Sequence, residues 1–161
     1  MPRYILRLHN SFKNKKNINN RSPTTNDENK IANIIHKHSG LCLGARDGKI
    51  DDVVDVVLMK CDNSPSQNWY HKTINKTGGD WHEFFLKTSD GKLKGFDIIG
   101  HSYGNGEKLI IFEPNGGDNQ GFFWDSLKGR IQAIHSKKCL DVPFNHGITG
   151  MNIIQYDWLY W

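Results

Sequence analysis

Apolar residues along this chain come in short clusters, separated by stretches rich in Gly, Asn and Asp, and no window sustains the spacing of an amphipathic helix. Three clusters read as strands: Val56-Val57-Leu58-Met59, Leu109-Ile110-Ile111-Phe112 and Ile153-Ile154-Gln155-Tyr156. Each follows a segment that resembles the other two. The first is Ile35-His36-Lys37-His38-Ser39-Gly40-Leu41-Cys42-Leu43-Gly44, and the third is Ile134-His135-Ser136-Lys137-Lys138-Cys139-Leu140-Asp141-Val142. The second is more divergent, with Leu86-Lys87-Thr88-Ser89-Asp90-Gly91 and then Gly95-Phe96-Asp97-Ile98. Two of the three end on a Gln-x-aromatic element, Gln67-Asn68-Trp69 and Gln120-Gly121-Phe122.

Cys42, Gly95 and Cys139 are equivalent positions, spaced by 53 and 44 residues, so the chain is an internal repeat of three units. Short strands bounded by turn residues, each with one apolar face to hide, predict an all-β fold closed on itself, because closure removes exposed strand edges.

The 161 residues suffice for one domain. Charge is uneven. Residues 1–30 carry +5 and the other 131 carry −1, so the net +4 sits in a basic, Asn-rich arm over 1–30, and the domain spans 31–161. Residues 10–28 read as flexible from their low content of core formers. A solvated tail is one reading of the arm; a grip on RNA or another acidic partner is the other. No apolar run approaches the roughly 20 residues of a membrane span. The N-terminal apolar stretch is broken by Arg7 and falls short of the roughly 7–15 residues of a secretory core, so no signal peptide is recognised.

The order CLxx, loop, VxLxxC, loop, QxW resembles the repeat of ricin B-type (R-type) lectins over about residues 31–161. The first unit carries it as Cys42-Leu43, Val56 to Cys61 and Gln67-Asn68-Trp69; the third carries Cys139-Leu140-Asp141-Val142. The resemblance implies a β-trefoil of three QxW repeats, a non-catalytic module that binds galactose or N-acetylgalactosamine on glycans or glycoproteins, and a secreted or cell-surface setting. It places Trp69 and Phe122 in the shared core. It pairs Cys42 with Cys61 in a disulfide, whose formation depends on the redox compartment. Cys139 has no such partner, because the matching position is Trp158.

The family's sugar site needs the Asp of CLDV, its third position, an aromatic in the VxL strand and an Asn-Gln pair opening QxW. A sugar offers a C–H face to a ring and hydroxyls to a carboxylate and an amide, which is the chemical reason for this set. The first repeat has Gly44, Met59 and Ser66 in these places and keeps only Gln67. The second keeps Asp97, Phe112, Asn119 and Gln120, with His101, Tyr103 and Asn105 in the loop expected to rim the pocket. The third keeps Asp141 and Tyr156, with Asn145 and His146 between them, but the sequence stops before a third QxW. The last strand of the trefoil is therefore missing: either the C-terminus is truncated, or another segment, Tyr4-Ile5-Leu6-Arg7-Leu8, reaches round to fill its place.

Other chemistry is thin. His36-x-His38 reads as part of a surface strand, and no third ligand lies at a metal-site spacing. No GxSxG, P-loop or HExxH occurs, so neither an enzyme nor a cofactor is expected. Asn75-Lys76-Thr77 is a glycosylation sequon that matters only in a secreted chain. Two functions remain: a sugar-binding lectin module, or a trefoil scaffold that has lost sugar binding and contacts protein or RNA through the basic arm.

Overall fold

A computed structural model describes residues 6–9, 29–30, 33–125, 127–145 and 147–158. Its strands are β1 (Leu6–His9), β2 (Asn29–Lys30), β3 (Asn33–His36), β4 (Cys42–Ala45), β5 (Val54–Met59), β6 (Tyr70–Lys76) and β7 (Gly79–Lys87). There follow β8 (Leu93–Ile98), β9 (Leu109–Phe112), β10 (Phe122–Asp125), β11 (Arg130–Ala133), β12 (Cys139–Asp141) and β13 (Ile154–Tyr156). All pairings between them are antiparallel. No helix among the described residues is long and apolar enough to cross a membrane.

The register displays the threefold repeat. Cys42 pairs with Met59, Gly95 with Phe112 and Cys139 with Tyr156. The three units β3–β4–β5, β7–β8–β9 and β11–β12–β13 are thus in step, and Gly95 stands where the other two carry cysteine. Neighbouring units are joined at β5–β9 and at the single bridges Lys108–Ile154 and Val57–Asn152, which links each unit to the other two.

Each unit is closed by a strand that pairs with the start of the next. β6 closes the first onto β7, and β10 closes the second onto β11. The third is closed onto β3 by β1, from the N-terminal end of the chain. In that pairing Leu6 lies opposite His36, as Phe122 lies opposite Ala133 one unit earlier. Leu6 therefore takes the register position of the QxW aromatic, and β1 also approaches β11 as a closing strand should. The edge of β3 is paired rather than open. Residues 10–28, read as flexible from composition, lie outside the described residues.

Period-two alternation sorts each strand into a core face and an outer face. Leu43 with Leu58, and Phe96 with Ile111, are opposed pairs fully or almost fully buried in the core. Trp69 and Phe122 are completely buried, as the resemblance implies, and the Trp69 indole N–H donates to the Leu43 carbonyl at 2.9 Å. Trp69, Phe84, Phe96 and Phe122 form a chain of edge-on and tilted rings at the centre, with centroids 4.5–6.4 Å apart. Behind Phe122, His71 and His82 share a 2.7 Å hydrogen bond beneath Trp124. Burial, together with the charge of its neighbour, holds His71 down to about 4, so this joint is an N–H···N bond between neutral rings at ordinary pH.

His36, expected on a surface strand, is instead buried in β3, where Nδ1 meets Ser39 Oγ at 2.8 Å. The reason is that His36 shares the core face of β3 with the fully buried Ile34, at the register position of Ala133, and Gly147 comes so close that a Cβ there would lie 3.2 Å from Nδ1. No group of three metal-ligating side chains occurs among the described residues.

Deleting residues 1–9 removes the strand on β3. Four residues of ladder at about 1 kcal/mol per hydrogen bond amount to about 4 kcal/mol, a fall of roughly 10 °C in melting temperature for a chain of this size. Thermal circular dichroism checks this; an unchanged melting temperature would show that the fold closes without β1.

Candidate functional site

Asp97 lies on β8 and Phe112 on β9. Asp97 pairs across the strands with Ile110 and Gly95 with Phe112, so Asp97 and Phe112 share the outer face, diagonal to each other. Asn119 and Gln120 arrive from the turn that precedes β10. Asn119 Nδ2 donates to Asp97 Oδ1 at 3.0 Å, and Gln120 Nε2 donates to Asp97 Oδ2 at 2.8 Å. The four residues expected from the sequence are thus gathered on one side of one repeat.

The turn is built to aim these amides. Gln120 spends its second Nε2 proton on the Glu113 carbonyl at 3.0 Å, and its Oε1 accepts from the Asn115 backbone at 2.8 Å. Gln67 does the same in the first repeat, donating to the Lys60 carbonyl and accepting from the Asp62 N–H. The glutamine of QxW therefore has a backbone-bracing role in both repeats, and only in the second does it also reach a carboxylate. Asn119 donates to the Ile98 carbonyl and receives β8 in return, since the Ile98 N–H donates to its backbone oxygen at 3.1 Å. Gly117 is required here, because a Cβ at that position would lie 2.7 Å from Asn119 Oδ1.

Asp97 is only 5% exposed. Burial holds its carboxyl above the usual value, and the hydrogen bonds from Gln120 and Asn119, with the nearby His135 and His101, offset only part of that rise. Each carboxylate oxygen accepts one amide proton and so retains capacity for another donor.

The other repeats differ. In the third, Asp141 and Tyr156 again share one outer face, and Asp141 Oδ1 accepts from the Val142 N–H at 2.9 Å. They stand apart from the second-repeat set. Counting back from Leu6 puts Tyr4 and Arg3 at the chain positions of the Gln-Asn pair; both lie outside the described residues and neither is a carboxamide. His146 is likewise outside the described residues. In the first repeat a Cβ on Gly44 would lie 2.7 Å from Met59 Sδ and 2.9 Å from Gln67 Cγ, so the carboxylate position is filled by neighbouring side chains. Cys42 and Cys61 are joined in a disulfide beside it, and Cys139 is a free buried thiol pushed up to about 11 by burial.

Sequence reasoning placed His101, Tyr103 and Asn105 in the rim loop but missed what fixes that loop. His101 Nε2 meets Asp118 Oδ1 at 2.5 Å, and its hydrogen bond holds the Asp118 carboxyl below the usual range. Asn105 is tied to Asp157 by two hydrogen bonds. Gln155 is fully buried at the core-face position held by Leu58 and Ile111 in the other units, and it binds the rim carbonyls of Ser102 and Gly104. A lone carboxamide inside the apolar run Ile153 to Tyr156 was the available signal.

No family model and no curated protein matches the chain. Solved structures do. A designed threefold-symmetric protein, ThreeFoil, is similar at 26% identity and a TM-score of 0.65, over 78% of this chain and 87% of its own. An exo-β-1,3-galactanase from Clostridium thermocellum is similar at 28% identity and a TM-score of 0.69, over 82% of this chain and 28% of its own. A Polyporus squamosus lectin, solved with a human-type influenza-binding epitope, Neu5Aca2-6Galb1-4GlcNAc, shares the fold at 16% identity and a TM-score of 0.55, over 74% of this chain and 40% of its own. The chain thus spans less than half the length of the last two.

Gly44→Asp would restore the carboxylate position of the first repeat in sequence alone. The clash with Met59 and Gln67 predicts a loss of roughly 1–3 kcal/mol, read by chemical denaturation, with no gain of a binding site. Wild-type stability in this variant would mean the position is open after all.

Proposed function

We propose, from the β-trefoil fold and from the resemblance of its repeats to those of R-type lectins, that this chain is a carbohydrate-binding module and that its second repeat holds the sugar. The observation that carries the reading is the Asp97 carboxylate, with both oxygens braced by carboxamides, on the face it shares with Phe112. Sugar hydroxyls donate to the remaining lone pairs of Asp97, the Asn119 carboxamide serves as the neutral partner, and the Phe112 ring takes the C–H face. Galactose or N-acetylgalactosamine is the ligand type by resemblance, and the similarity to part of a galactanase chain supports it. We read the module as a binder and not an enzyme. One shallow site of this kind binds at about millimolar, or about −4 kcal/mol, so useful capture requires several copies or a multivalent glycan.

The filled Gly44 position favours one second reading, a trefoil scaffold whose sugar sites are being lost, with protein or RNA as partner through the basic arm. Binding to RNA that weakens steeply with salt, without any response to sugar, would select it.

Galactose titrated by NMR tests the first reading. Asp97→Ala removes the charged acceptor, worth roughly 1.5–3 kcal/mol, and takes a millimolar site beyond detection. Phe112→Ala does similar damage, and Asp141→Ala matters less. Because hydroxyl donors need the ionised carboxylate and burial raises its titration, wild-type affinity falls on acidification at a pH above the ordinary aspartate value of 3.8. Unchanged binding in Asp97→Ala would contradict the assignment.

A further inference from the structure

Beyond the four residues of the pocket, an unbroken chain of contacts leads away from Asp97. Asp97 is bonded to Asn119, whose neighbour Asp118 is bonded to His101. The His101 ring lies 5.6 Å from Tyr103 and 4.8 Å from His135, and Tyr103 lies 5.1 Å from His135. His135 comes from the β11–β12 turn of the third repeat, so this ring cluster straddles two units. Tyr103 is 60% exposed.

An exposed tyrosine on a loop is ordinarily mobile, but this one stands on fixed backbone. The carbonyl of Ser102 accepts from His135 Nε2 at 2.8 Å and from Gln155 Nε2 at 2.9 Å, and the carbonyl of Gly104 accepts from Gln155 Nε2 at 2.8 Å. Ser136 Oγ holds the Gln155 oxygen at 2.7 Å, and the Gly104 N–H donates to Ser102 Oγ at 3.1 Å. The approach is pinned as well: Gly100 and His101 both adopt left-handed φ, +64° and +53°, an arrangement costly for His101 and kept by its bond to Asp118. Gln155 occupies a core position that an apolar residue fills in both other units, so a buried carboxamide is used to hold this rim. His135 Nε2 faces a carbonyl and therefore carries the proton, and its buried Nδ1 has no hydrogen-bond partner among the described residues.

A rigid, exposed, amphipathic ring, whose partners His101 and His135 lie within electrostatic reach of Asp97, is a stacking surface that loses little entropy on binding. We infer that Tyr103, with the His101 and His135 rings beside it, forms a second subsite next to Asp97 that receives a neighbouring sugar ring, so that the ligand is an oligosaccharide ending in a galactose-type residue. This rests on the second-repeat reading above and specifies its substrate class. It also gives a reason for the third repeat's polar core position, which the third repeat itself does not use.

Methyl β-galactoside and a set of galactose-terminated disaccharides of differing linkage, lactose among them, are titrated by NMR against wild type, Tyr103→Ala and Tyr103→Phe. At least one disaccharide binds wild type roughly five- to tenfold more tightly than the monosaccharide, the worth of one added ring contact. Tyr103→Ala loses that gain and keeps the monosaccharide affinity; Tyr103→Phe keeps both. Equal binding of all disaccharides and the monosaccharide to wild type overturns the subsite and leaves the Asp97 pocket standing. So does a Tyr103→Ala variant that retains the gain or weakens both ligands alike. No response to any of these sugars overturns the pocket and the subsite together.

Discussion

A carboxylate taken out of water must be given donors, and the second repeat is organised around giving them to Asp97. Asn119 and Gln120 can reach it only if the turn before β10 is folded back over β8. The same two side chains and their backbone therefore hold Glu113, Asn115 and Ile98 in place. Where the carboxylate is absent, as at Gly44, the glutamine still braces its turn, but Met59 and Gln67 move into the space. Gly44, Met59 and Ser66 in place of Asp97, Phe112 and Asn119 thus separate packed surface from a braced carboxylate on an equivalent backbone.

The second constraint is closure. Three units of short strands leave one backbone edge at β3 unless a strand covers it, and an open edge of unpaired donors and acceptors invites pairing with other chains. β1 covers it in the register of the other closing strands. In the third repeat Asp141 and Tyr156 share a face, as Asp97 and Phe112 do in the second. Divergence among the repeats follows: the backbone stays threefold while the chemistry concentrates in one unit.

The fold and the grouping of the four second-repeat residues were legible in the sequence because both are carried by local order. CLxx, VxL and QxW fix strand, strand and turn at set distances, and Asp97, Phe112, Asn119 and Gln120 could be named from those distances alone. Even the uncertain step, reading Gly95 for cysteine, is resolved by its pairing with Phe112. Contacts between repeats were not legible. Gln155 looked like an outlier in an apolar strand, and nothing local showed that its amide reaches Ser102 and Gly104, 53 and 51 positions away. The closing role of β1 was visible only as an alternative to a missing strand, since pairing across the length of the chain leaves no periodic trace. His36 misled because nothing local in a four-residue strand shows which of its two faces meets the core.

The central claim is that two carboxamides hold a carboxylate ready for sugar in the second repeat and in no equivalent way in the first. Gln67 and Gln120 brace their turns alike, so each is the other's control. Their side-chain amide NMR resonances, with those of Asn119, followed while methyl β-galactoside is added, test the claim directly. The account predicts that Asn119 and Gln120 shift together and saturate while Gln67 stays still. Shifts of Gln67 equal to those of Gln120, or no shift of Asn119 and Gln120 while the sugar binds, would contradict it.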